Sequence, residues 1–172
     1  MKNRDTVVKF LAAYKESTEL VNTILEEKGE QYEELIATIV EKSPGYTEEE
    51  IENALENVTF LCADDDKGSL EVLKDDVRRL GIYLDKYGMI TSDKFKDPEA
   101  FAKAFVDDRC IRDACAGKAG KEGSVTVKLP QVNLSAMFLS LIIGEQAGIY
   151  EKYGVTLEYV PGEYTAGEAI VE

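Results

Sequence analysis

Residues 125–160 read VTVKLPQVNLSAMFLSLIIGEQAGIYEKYGVTLEYV, and their pattern decides the fold. Val125, Val127 and Leu129 alternate with Thr126 and Lys128, and Val155, Leu157 and Tyr159 alternate with Thr156 and Glu158. Such period-two stretches, closed by Pro130 and by Pro161-Gly162, predict two strands. Between them Met137, Phe138, Leu139, Leu141, Ile142 and Ile143 are apolar over most of a helical circumference, which predicts a buried helix capped by Ser135. Gly144 and Gly148 are expected to interrupt or end it, and Ile149 to Gly154 to add one more turn. Strand, helix and strand in this order form a right-handed parallel crossover. Thr165-Ala166-Gly167-Glu168 is then a capping box opening a further helix, which is read as cut off at Glu172.

Before this unit, Gly117 to Gly123 is short, glycine-rich and polar, and residues 117–124 read as a linker. It is no phosphate loop: Glu122 stands where Ser or Thr should follow Lys121, and a helix precedes the run in place of a strand. Residues 1–116 are predicted to be helical. Val7, Leu11, Tyr14, Val21 and Leu25 recur at helical spacing after a cap at Asp5 or Thr6, and Gly29 suits the end. Tyr32, Leu35, Ile36, Ile39 and Val40 mark a second helix that stops at Ser43-Pro44-Gly45. Thr47 and Glu50 form a capping box for a third, with Ile51, Leu55 and Val58 inward. After a solvated Asp64-Asp65-Asp66 turn, Ser69 caps a fourth. Its Leu70, Leu73, Val77, Leu80, Leu84 and Tyr87 step by three and four, are expected to pack inside the molecule, and stop at Gly88. Asp97-Pro98 opens a fifth, running through Phe101 and Phe105 toward Cys115. The expected fold is therefore α/β and predominantly helical, with five or so helices (1–116), a linker (117–124) and a parallel β-α-β unit (125–172).

Composition narrows the function. A net charge of −14 over 172 residues opposes nucleic acid and anionic membranes, since phosphates are repelled. The apolar run Ala136 to Ile143 is too short to span a bilayer, so no direct membrane insertion is expected. The first ten residues lack the apolar core of a signal peptide. Histidine is absent, which removes the commonest general base and zinc ligand. Cys62, Cys110 and Cys115 form no CxxC pair and read as small buried hydrophobes. The aspartate run lacks the glycine and distal glutamate of a calcium loop. No catalytic residue, metal site or cofactor is expected.

In open α/β sheets, ligands bind beyond the carboxyl ends of the strands, where helix N-termini present unpaired amides. Two loops meet that description. Gln131, Asn133 and Ser135 in the first, and Tyr164 and Thr165 in the second, are neutral hydrogen-bonding groups beside a positive dipole end. They suit a small polar or anionic ligand. Asn133, Ser135 and Thr165 also suit plain helix capping.

The order Leu129-Pro130, buried helix, Gly144 to Gly154 turn and Val155 to Val160, followed by the Gly162 to Glu168 cap, resembles the start of an ABC-transporter solute-binding protein. The type is that of the nitrate/sulfonate/taurine and thiamine-precursor group. Arg4 to Leu11, the Thr47-capped helix and Leu80 to Ile90 are similar to the other end of such proteins. The resemblance implies the tail of one copy joined to the head of another, by excision from a tandem protein or by circular permutation, giving a partial periplasmic-binding-protein-like lobe. It also implies an extracytoplasmic location and delivery of a small molecule to an ABC permease. Two other readings stay open: a helical structural or interaction module, and a fragment of a thiamine-pyrimidine precursor synthesis enzyme. The missing histidine argues against the last.

Overall fold

Ala13, Ser17, Val21 and Ile24 follow one another at steps of four, four and three along the first helix, and all four are buried. That stripe organises the molecule. The computed structural model describes residues 3–42, 45–62, 70–90, 96–120, 123–130 and 138–160. In chain order they form α1 (Arg4–Glu27), α2 (Glu30–Lys42), α3 (Glu48–Glu56), α4 (Leu70–Lys86), α5 (Pro98–Phe105) and α6 (Arg109–Cys115). β1 (Val125–Pro130), α7 (Leu139–Gln146), α8 (Ile149–Lys152) and β2 (Val155–Val160) follow. The protein is mainly helical with a small sheet of two parallel strands, as the alternation and the crossover predict.

Three apolar clusters succeed one another along α1. Toward its C-terminal end, Val21 and Ile24 pack with Tyr32, Leu35, Ile36 and Ile39 of α2, Leu55 of α3, and Leu139 and Ile143 of α7. Near its middle, Ala13 meets Leu141, Ile149, Tyr150 and Val155, with Val125, Val127, Leu129 and Leu157 of the strands alongside. Near its start, Val8 and Ala12 pack against Cys110 and Ala114 of α6. The helix between the strands is thus covered by α1, as its apolar circumference requires. Burying a side chain the size of Val21 or Leu139 stabilises by about 1.5–3 kcal/mol.

The α1–α7 crossing is close because its contact residues are small. Ser17, Ser140 and Gly144 are buried there with Thr18. The Ser17 hydroxyl donates to the Ala13 carbonyl at 2.8 Å, and the Thr18 and Ser140 hydroxyls share a hydrogen bond of 3.0 Å. Buried hydroxyls partnered in this way avoid a desolvation cost of about 1–3 kcal/mol each. A Cβ on Gly144 would lie 2.0 Å from Ser17 Oγ, so only glycine fits at this contact.

Several local expectations are corrected. Gly144 does not end the helix; α7 runs through it, because the residue serves close approach and not a turn. α1 starts after Asn3, which makes no side-chain cap, and Asp5 sits in the first turn where its charge suits the helix dipole. The left-handed residue closing α1 is Lys28, at φ 46°, in place of Gly29. Val58 lies beyond the end of α3. The fifth predicted helix is two, giving six helices before the sheet among the described residues. Val106 turns extended, and Asp107 accepts from the Arg109 backbone at 3.2 Å, so an aspartate that favours helix starts restarts the chain as α6.

The largest correction concerns α4. Leu73, Leu80 and Tyr87, expected inside, are 48, 57 and 60 % exposed. α4 lies on α5, beside Lys74, Arg78 and Gly81, and its other apolar flank faces outward. Length explains this. The eight residues of α5 span about 12 Å and cannot cover a stripe along the 17 residues of α4, about 25 Å. The Thr47–Glu50 capping box and the Gly88 stop are both present as predicted. The Asp64-Asp65-Asp66 run, Ser43, Pro44 and Ser69 lie outside the described residues.

Candidate functional site at the carboxyl edge of the sheet

Val125 pairs with Val155 and the register continues without a slip to Pro130 opposite Val160. Both strands therefore end on one edge, with neighbouring backbones about 4.8 Å apart. The segments that carry the five candidate residues leave from these adjacent points. Gln131, Asn133, Ser135, Tyr164 and Thr165 themselves lie outside the described residues.

The described side chains around this edge follow the strand alternation. Val155, Leu157 and Tyr159 turn toward the helices, while Thr156 and Glu158 face solvent. Tyr159, next to the end of β2, donates its hydroxyl to Glu145 Oε2 of α7 at 3.1 Å. Burial first, and then the negative charge of Glu145, push its phenol up to about 12. The hydroxyl thus stays protonated and keeps its donor at any physiological pH. Across the strands, Lys128 Nζ lies 3.6 Å from Glu158 Oε1, an exposed pair that contributes little to stability.

Tyr159 and Glu145 were not singled out by the sequence reading. The available signal was the period-two alternation, which places Tyr159 on the helix-facing side of the last strand pair. Its partner on α7 is visible only once the crossover is built.

The platform beneath the edge is tied to α1. Glu16 accepts from Lys152 Nζ at 2.7 Å and from the Tyr153 hydroxyl at 2.9 Å. The hydrogen bond from Lys152 is the main reason that the Glu16 carboxyl is held below its ordinary range. At the same amino end of the sheet, buried Lys9 donates to the Gly123 carbonyl at 2.6 Å. Both contacts fix the β-α-β unit on α1 through groups that immediately precede the strands. None of the three cysteines is in a disulfide. Among the described residues, no group of three His, Cys, Asp or Glu side chains is placed to hold a metal ion. No helix among them is long and apolar enough to cross a membrane.

The described part of the edge therefore offers hydrogen-bonding groups, a fixed phenol hydroxyl and a carboxylate. Compared with family models, curated proteins and solved structures, the chain has no match among any of the three.

Proposed function

We propose that this chain is part of an extracytoplasmic solute-binding receptor that captures a small polar or anionic molecule for an ABC permease. The observation that carries the reading is the in-register parallel pair β1–β2, whose carboxyl ends stop together above a buried crossover helix. In sheets of this kind the ligand sits beyond those ends. The resemblance to the nitrate/sulfonate/taurine and thiamine-precursor type supplies the solute class and the permease. Gln131, Asn133, Ser135, Tyr164 and Thr165 hold the ligand through neutral side chains and helix-terminal amides, with no covalent step. The lobe presents one wall of a cleft, so affinity for it alone is low.

Amide NMR titration with nitrate, taurine and an aminopyrimidine tests the proposal. The expected result is a millimolar response by one of them, confined to amides near Leu129 and Val160. No response at the edge to any of the three, at concentrations up to 20-fold over the protein and beyond 10 mM, overturns it (on the order of weak fragment binding). The alternative of a helical interaction module is favoured by one observation, the outward apolar flank of α4. It gains ground if the edge stays silent.

A further inference from the structure

α2 and α7 both rest on α1, and a groove of about 240 Å³ lies between them on the surface. Its floor is apolar: Leu20 and Ile24 of α1, Leu35 and Ile39 of α2, Ile142 and Ile143 of α7. Its rim carries Gln31, Glu34, Thr38 and Gln146. This groove is separate from the strand ends, and nothing in the proposed receptor function uses it.

We propose that the groove is a second small-molecule site, selective for compact apolar ammonium ions. Three observations support that class. First, Glu34 is the one charged residue among the described residues that line the groove. Second, Gln146 is the last residue of α7, so the rim includes the negative end of that helix's dipole. Third, the whole chain carries −14, a field that raises the local concentration of small cations around a solvent-open groove. The groove is open on one side, and its volume leaves room for a single ring with a short chain. The ring lies on the isoleucines, the ammonium group meets Glu34, and the Gln31 and Gln146 amides accept its remaining protons.

The test is a titration of the full chain, labelled at isoleucine methyls, with 2-phenylethylammonium, 2-phenylethanol and 3-phenylpropionate. The expected result is movement of the Ile24, Ile39, Ile142 and Ile143 methyls. The ammonium should bind about fivefold more tightly than the alcohol, as a partly exposed ion pair provides, and the carboxylate more weakly than both. Raising salt to about 0.5 M should shrink the preference. Glu34→Gln, at an exposed position, should remove it while leaving the alcohol's affinity in place, and Thr38→Phe should block all three ligands. Methyls that stay still at millimolar ammonium overturn the site. Equal binding of ammonium and alcohol, or a preference that survives Glu34→Gln, overturns its selectivity.

Discussion

A methyl group added at Gly144 would stand 2.0 Å from Ser17 Oγ, 2.6 Å from Ser17 Cβ and 2.8 Å from the Tyr150 ring. Ser17 is wholly buried and Tyr150 nearly so, and neither has room to yield. Gly144→Ala should therefore cost about 1–3 kcal/mol in urea unfolding, despite the better helix propensity of alanine. A variant as stable as the parent would show that α1 and α7 do not cross this closely. Glu16 gives a second test at this scale. Its folded carboxyl is held below the ordinary value, chiefly by Lys152, so its contribution is present above about pH 4.3 and fades as pH falls through the lowered value. Glu16→Gln should be less stable than the parent at pH 7, with the gap closing as pH falls below the ordinary carboxyl range. A gap that is constant with pH would place the effect in packing. The glycine and the glutamate are visible in the sequence, but their work is not. Each is defined by a partner on an element far away along the chain: Ser17 for Gly144, and Lys152 with Tyr153 for Glu16.

Elements whose signals are local were legible. The Thr47 box needs only Glu50 three residues on, and both of its hydrogen bonds form. Strand alternation and the register it feeds are likewise local, and the candidate edge follows from them. The loops that start there were legible only as composition. α4 shows the opposite case. Its three-four spacing correctly gave a helix, but spacing does not say how much of an apolar stripe a neighbour will cover. Leu73, Leu80, Tyr83 and Tyr87 form an outward flank, with the two tyrosine rings 4.7 Å apart. A flank of this kind should bind hydrophobic dye in the folded protein, while the covered α7 should not. Leu80→Glu is therefore expected to lower dye fluorescence and to change unfolding stability by under about 0.5 kcal/mol. A loss of several times that, with dye binding unchanged, would mean that Leu80 is packed and the dye enters elsewhere.

At the scale of the whole molecule, α1 belongs to all three apolar clusters, and α4 and α5 belong to none. The α4–α5 pair reaches α6 through charges, Lys74 with Asp108 at 3.0 Å and Glu71 with Arg112 at 3.4 Å, while Arg112 also holds Asp108 at 2.8 Å at the start of α6 itself. Asp108 is held below its ordinary range by Lys74 first and Arg112 second, so this tie persists at neutral pH and weakens as pH falls below about 3.9. Ion pairs of this exposure contribute little each and are screened by salt. The apolar clusters on α1 are larger and salt-independent. The two parts should therefore open at different free energies. Native-state hydrogen exchange is expected to show α4 and α5 amides exchanging faster than those of α1 and α7. Lys74→Met should speed the first group and leave the second unchanged, as should added salt. Equal protection in α4 and α1 would require an apolar contact between α4 and the α1 clusters. That contact would also have to cover the flank of Leu73, Leu80 and Tyr87, so the dye and exchange experiments must agree: either both find α4 peripheral, or both find it buried.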